Sequence, residues 1–472
     1  MTRTARHAGC GEHLALDQLH RRTFLRVGGL SLLGLSLPQL YAAQQARASD
    51  YLGEREPARA RSCILLFLSG GPSHYETFDP KPDAPSENRT IFGTVQTRTP
   101  GVLLCEHLHD LARLQDKFAL VRSMTHRFNG HFGAHRYALS GHVAPGNPDQ
   151  PARADDKPGL VGLAARHLRG QNMPSVVMAP WIATDQGSGA SGGMGGGTLG
   201  RQFDPVRVEV DNQSLQPGRS PIFRLPELAL RPELTISRFD GRRSLLSTIE
   251  SQQIGLAQSA QMREMDDHYQ HAYELLTSSN IRQGFDIEQE PYALRNRYGQ
   301  DAFGQSCLLA RRLVERGARF VQVNFSRYVS QPGYGWDTHD RGRETLQTQL
   351  LPKLNAGVAS LIDDLHQRGL LDETLVVAMG EFGRTPRVKP DGGRDHWNQS
   401  YSILLAGGGI HGGLVYGRTT RDGAEVAVDP VEPREIICTI LTLLGIPTFQ
   451  VDPQGRAAPL FEGVEPVRRL FA

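Results

Sequence analysis

Thr374-Leu-Val-Val-Ala-Met379 runs for six residues without a charge, and Gly380-Glu381-Phe382-Gly383-Arg384-Thr385-Pro386 follows directly. A continuous apolar run of strand length predicts a strand covered on both faces. The acid at its carboxyl end is not there for packing, because a lone buried carboxylate is costly. Glu381 therefore needs a cation or a hydrogen-bond donor nearby. Arg384 can be that donor, or its guanidinium can fork onto the oxygens of a phosphate or sulfate.

Similar runs recur along the chain at 63–68, 117–121, 175–178, 319–325 and 401–406. Between them lie helical patterns. Phe303, Leu308, Leu309 and Leu313 share one side of a helix expected over 302–316. Leu351, Leu354, Val358, Leu361 and Leu365 form one apolar stripe, and residues 432–444 read as a further amphipathic helix. Strands joined by helical crossovers imply an α/β fold with a central, mostly parallel sheet sandwiched by helices. In such sheets ligands bind beyond the carboxyl ends of the strands. Two regions do not fit the alternation. Residues 183–200 are rich in glycine but lack the Gly-Lys-Ser/Thr of a phosphate loop, and read as a loop or lid. Residues 211–300 are polar and read as a helical insertion, with helices expected at 245–257 and 260–277.

Acid and histidine cluster in short blocks. Trp336-Asp337-Thr338-His339 follows a strand and a glycine-rich turn. Side chains two apart in an extended segment face the same way, so Asp337 and His339 can reach one cation. The plainer alternative is a helix-capping Asp beside a surface His. Arg394-Asp395-His396-Trp397 sits in another glycine-rich loop. It can offer one ligand and one supporting partner, or a simple Asp–Arg turn. His131 and His135 are spaced i, i+4, one above the other on a helix. Gly-Gly-Pro-Ser-His, at 70–74, adds His74 behind the first strand. Carboxylate plus imidazole is the ligand set of hard to borderline dications, so one or two ions of the Zn, Mn, Mg or Ca kind are expected.

The first 48 residues read as a removable export signal. His20-Arg21-Arg22-Thr23-Phe24-Leu25-Arg26 is a twin-arginine pattern, an apolar run follows, and Ala46-Arg47-Ala48 is a small-x-small cleavage site. About 14 apolar residues, broken by Pro38, are too few to span a bilayer of ~30 Å, so no stable membrane span is expected after cleavage. Residues 49–60 then read as a linker and 61–472 as one large domain. Without residues 1–48 the chain keeps 46 bases against 48 acids, a net charge of −2. No basic stripe remains, so nucleic acid is not an expected partner. Cys63, Cys105, Cys307 and Cys438 lie in apolar contexts and read as buried thiols, with a disulfide as the alternative in an oxidising compartment.

Several longer blocks resemble one known family. They are Leu-Ser-Gly-Gly-Pro-Ser-His ending at 74, Thr-Phe-Asp-Pro-Lys-Pro at 77–82, Arg-Tyr-Gly at 297–299 and Leu-Leu-Ala-Arg-Arg-Leu-Val-Glu at 308–315. The Trp336 and Arg394 blocks, Arg-Gly-Leu-Leu at 368–371, Gly-Glu-Phe-Gly-Arg-Thr-Pro and Leu-Ala-Gly-Gly-Gly-Ile at 405–410 complete the set. Together they resemble the exported family known as domain of unknown function 1501, itself similar to the alkaline phosphatase and sulfatase superfamily. The resemblance implies a mixed sheet with helices on both sides and a metal site at the strand ends. It implies that Asp337 and His339 form the late Asp–His pair, that Glu381 and Phe382 stand where an Asp-His pair is usual, and that His396 is the last ligand. It also implies a ligating Asp after the first strand. Here that strand ends in Leu68-Ser69-Gly70, which leaves His74, Glu76 or Asp79 as substitutes. Counting back nine from Ser140-Gly141 to the sulfatase nucleophile lands on His131, not on Ser, Thr or Cys.

The expectation is thus an exported, periplasmic, metal-dependent hydrolase of phosphate or sulfate esters, phosphorylated or sulfated glycans included. Asp337, His339, Glu381, Asp395, His396, His135 and His74 would hold metal. His131 would act through a metal-activated water or as an atypical nucleophile, and Arg384 would bind the anionic group. The alternative is a non-catalytic exported protein that keeps the fold and binds metal, glycan or a protein partner.

Overall fold

Thr374–Met379 is a strand, and every one of its residues is buried. It stands near the middle of an eight-stranded sheet in the computed structural model. The structure describes residues 56–170, 173–184, 189–211, 221–226, 241, 279–327, 335–451 and 457–472. The expected export signal, most of the linker and the helices expected at 245–257 and 260–277 lie outside the described residues. Of the expected insertion, Ser279–Phe285 and Tyr292–Arg297 are helical.

In chain order the sheet strands are β1 (Ser62–Phe67), β2 (Phe118–Met124), β3 (Val176–Ala179), β4 (Val206–Arg207), β5 (Phe320–Asn324), β6 (Thr374–Met379), β7 (Tyr401–Ala406) and β8 (Val415–Tyr416). Across the sheet the order is β8-β2-β7-β6-β1-β5-β3-β4. Only β7 is reversed; its pairings with β6 and β2 are antiparallel and the rest are parallel. The register brings Phe67 of β1 level with Met379 of β6 and Asn324 of β5. Three neighbouring strands therefore end at one rim. The reversed strand β7 begins at that rim, so the segment leading into it arrives there too.

Alternate strand residues face opposite ways. Ile64, Leu66, Val321, Val323, Val376 and Ala378 join one core with helices α3 (Ala302–Glu315) and α4 (Leu351–Gln367). The α4 stripe of Leu351, Leu354, Val358, Leu361 and Leu365 is fully buried there. On the other face, Phe67 meets the ring of His135 edge-on at 5.0 Å, which seats helix α1 (His131–Ser140) on that side, and α2 (Leu160–His167) follows it in the chain. Helix ends follow local rules. The Asp301 side chain accepts from the backbone N–H groups of Phe303 and Gly304 at the start of α3. Glu432 and Glu435 form a reciprocal cap on α5 (Pro433–Leu443).

All four described cysteines are buried free thiols. No described helix is long and apolar enough to cross a membrane. Phe449–Val451 and Ala457–Pro459 pair as a small antiparallel hairpin within a separate unit.

Candidate metal centre

Four segments bring side chains to the rim. The loop after β5 carries Asp337 and His339, the turn after β6 carries Glu381, helix α1 starts at His131, and the segment before β7 carries His396. They meet at hydrogen-bonding distance. His339 Nε2 and His396 Nε2 each lie 3.0 Å from Asp337 Oδ1 and 3.0 Å from one another. The two imidazoles are oriented from behind. His339 Nδ1 is 2.7 Å from Asp395 Oδ1, and His396 Nδ1 is 2.8 Å from the carbonyl oxygen of Asn129. Each Nδ1–H donates outward to an acceptor, so each Nε2 turns a lone pair inward. Two lone pairs and a carboxylate oxygen crowding one point need a proton or a cation between them.

His131 joins this group to a second one. Its Nε2 is 3.3 Å from Asp337 Oδ2 and its Nδ1 is 2.7 Å from Glu381 Oε1. His135 Nε2 lies 3.1 Å from the same Glu381 oxygen. Both carboxylates are held. Gly70 N–H donates to Glu381 Oε1 at 2.9 Å. Arg384 Nη2 donates to Asp337 Oδ1 at 2.6 Å. Gly70 has φ +110, and a Cβ there would sit 2.5 Å from the backbone nitrogens of Trp336 and Asp337, so only glycine lets the two loops touch.

The charges shift as this arrangement demands. Burial pushes the Asp337 carboxyl up, but His131, His339, His396 and Arg384 outweigh it and hold it far below the usual range. Burial likewise opposes ionisation of Glu381, and His135 and His131 reverse that. Burial disfavours a charged His131, yet the flanking Asp337 and Glu381 raise its pKa to about 9. His339 is raised, chiefly by Asp337, while burial lowers His396.

The structure places five of the expected residues away from the roles expected of them. Arg384 does not present its guanidinium to an incoming anion. It is fully buried and is spent on Gly70, Gly71, Trp336 and Arg394 carbonyls besides Asp337. Asp395 is half exposed, bonds Lys389 Nζ at 2.7 Å and orients His339 from behind instead of joining the ligands. His74 stands apart. Its Nε2 faces the Gly423 carbonyl at 3.0 Å, and burial lowers its pKa to about 4. The other substitutes for a first-strand acid are also committed elsewhere, Glu76 to Arg394 and Asp79 to Lys81 and Arg122.

The sequence reading missed three contributors. Ser191 Oγ lies 2.7 Å from His135 Nδ1; it belongs to the glycine-rich segment, which was read only as a loop. His126 accepts from Phe128 N–H on Nδ1 and donates through Nε2 to the Glu381 carbonyl. Asn129 acts through its backbone, which no residue pattern signals.

The donor set suits a borderline dication. Imidazole nitrogens with a carboxylate are the usual ligands of catalytic zinc. Metal-binding histidines normally donate their other N–H to a carboxylate or backbone carbonyl, as His339 and His396 do here. Among the described residues, two groups have candidate ligand atoms all within 4.8 Å of one another: His131 with His135 and Glu381, and His131 with Asp337 and His396.

Comparison with known proteins gives remote likenesses. The fold is similar to the PsFucS1 sulfatase from Pseudoalteromonas sp. at 12% identity, covering 87% of this chain and 72% of that one, with a TM-score of 0.37. It is similar to the phosphonate monoester hydrolase SpPMH from Silicibacter pomeroyi at 12% identity, 88% and 76% coverage and a TM-score of 0.34. For the alkaline phosphatase from the Antarctic bacterium TAB5 the values are 12%, 82%, 98% and 0.36. Likeness at this level decides neither reaction nor substrate. No curated protein matches the chain. The family model described as "Protein of unknown function (DUF1501)" matches residues 60–471, nearly the whole of what the structure describes, and the chain belongs to that family.

Proposed function

We propose that the protein is an exported, metal-dependent hydrolase of phosphate or sulfate esters. One observation carries the metal: His339 Nε2, His396 Nε2 and Asp337 Oδ1 converge at 3.0 Å with both outward N–H groups already spent. Asp337, His339, His396 and His131 would hold the ion. A bound dication would supply Lewis-acid activation of water and charge for the ester's anionic oxygens. Arg384 keeps Asp337 ionised and aimed. His339 remains 37% exposed, so the open side of the group can be reached from solvent.

A cationic groove lies behind His339. A groove of about 790 Å³ is lined by Arg89, Arg343, Arg387 and Lys389, with Glu87 and Asp395 as its acids. Asp395 is the residue behind His339, so the cationic groove adjoins the centre. It takes over the anion-binding task that Arg384 cannot perform.

The test is turnover of aryl phosphate, phosphodiester and aryl sulfate substrates by purified protein loaded with Zn²⁺, Mn²⁺, Mg²⁺ or Ca²⁺. Activity is expected to vanish in a His339→Ala/His396→Ala double variant. Turnover equal in the wild type and that variant removes the enzyme reading. A second reading rests on the missing hydroxyl at the His131 position: a metal-binding protein of the same fold that performs no hydrolysis. Stoichiometric metal in a protein inert towards all these esters favours it.

A further inference from the structure

The geometry points to His131 as an imidazolate that bridges two cation sites: the open one of Asp337, His339 and His396, and a closed one formed with His135 and Glu381. This rests on the metal reading of the open site and adds the second site and its link. Three observations support it.

First, both nitrogens of His131 face donor groups. Nδ1 is 2.7 Å from Glu381 Oε1, and Nε2 is 3.3 Å from Asp337 Oδ2. One ring therefore belongs to two separate clusters, each with a further imidazole and its own carboxylate. Second, Glu381 lacks a permanent cation. Asp337 has Arg384, whereas Glu381 is fully buried and its described ion-pair partners are His131 and His135 alone. A buried carboxylate needs a counter-charge within reach. Third, His131 Nε2 and His135 Nε2 are buried nitrogens that make no hydrogen bond of proper alignment, although each has a carboxylate oxygen beside it. Buried ring nitrogens set beside carboxylate oxygens without an aligned hydrogen bond are what metal ligands show before loading.

The rest of the closed site is prepared for this. Ser191 Oγ engages the far nitrogen of His135, Gly70 N–H holds Glu381, and His126 holds the Glu381 backbone. The side chains of His131, His135 and Glu381 are 5%, 0% and 0% exposed, so this site has no approach for substrate. Its cation is of the borderline class that imidazole prefers, Zn²⁺ or Cu²⁺. Loading both sites removes both ring protons of His131 to solvent, so proton release accompanies uptake.

The test uses the chelator-stripped full protein reloaded with Zn²⁺, then separately with Cu²⁺. Wild type is expected to bind two Zn²⁺ per chain by elemental analysis. His135→Ala, which touches only the closed site, is expected to bind one, with His135→Gln as a substitute if the alanine variant fails to fold. With two Cu²⁺ bound, the wild-type electron paramagnetic resonance signal is expected to fall well below two spins, because an imidazolate couples the two ions antiferromagnetically. One metal in both wild type and His135→Ala overturns the bridge while leaving the open site intact. A full two-spin copper signal also overturns it. No bound metal in the wild type removes the open site as well, and with it the proposed function.

Discussion

Replacing Arg384 by Lys separates a structural clamp from an anion receptor. The guanidinium is fully buried and meets five acceptors: the carbonyls of Gly70, Gly71, Trp336 and Arg394, and Asp337 Oδ1. A lysine ammonium has three donors and lacks the planar fork, so at least two of these acceptors lose their partner. Each buried acceptor left unpaired costs roughly 1–3 kcal/mol, so the total is about 2–6 kcal/mol. The assay is equilibrium urea unfolding of the metal-free protein. The midpoint of Arg384→Lys should fall well below that of wild type, and Arg387→Gln, in the exposed groove, should leave it within about 0.5 kcal/mol. An Arg384→Lys protein of wild-type stability that has lost phosphate or sulfate affinity would refute the clamp and restore the receptor.

Three further outcomes follow from the same geometry. The raised pKa of His131, about 9 against an ordinary ~6.5, means that the folded, metal-free protein holds this proton more tightly than the unfolded chain. Its stabilisation, about 3 kcal/mol, is complete below pH ~6.5 and is lost as pH rises through 9, so urea midpoints in chelator should drop between pH 6.5 and 9.5 in wild type and stay flatter in His131→Gln. Asp395→Asn should weaken Zn²⁺ binding by calorimetry on the order of 10–100-fold while barely changing stability, since Asp395 touches His339 from outside; unchanged affinity would deny it that role. Gly70→Ala should cost more than about 1 kcal/mol in thermal unfolding, because its φ is positive and the new Cβ would meet the Trp336–Asp337 backbone at 2.5 Å.

The strands were legible because burial on both faces writes itself as uninterrupted apolar sequence. β6 was bounded to the residue at 374–379, and the α4 stripe lies fully buried as its spacing implied. Convergence of Asp337, His396 and Glu381 was legible too, since acids and histidines behind apolar strands have little other reason to be there. Roles within the cluster were not. Asp395 and His396 are adjacent, yet one is an outer support and the other points inward, because neighbours in an extended segment face opposite ways. Arg384 looked free to meet substrate, since no pattern reveals that four carbonyls of three loops will turn towards it. His74, in a motif rich in site-like residues, was drawn instead to the carbonyl of Gly423, 349 positions away.

The end of β1 shows how the centre differs from the arrangement its family resemblance implies. An acid was expected there, and the chain has Gly70. The loop that carries Asp337 packs against this glycine so closely that no side chain fits. What β1 offers in place of a carboxylate is the Gly70 N–H, aimed at Glu381. A donor where an acid was expected reverses the local field: a cation beside β1 would lose a negative ligand and face an amide hydrogen. The strand end therefore cannot hold the ion itself; it can only hold Glu381. In the proposed centre the ligands would come from across the rim, where α1 carries His131 and His135 one turn apart on the same face. In the proposed centre the imidazoles of α1 would thus do what a carboxylate after β1 would otherwise do.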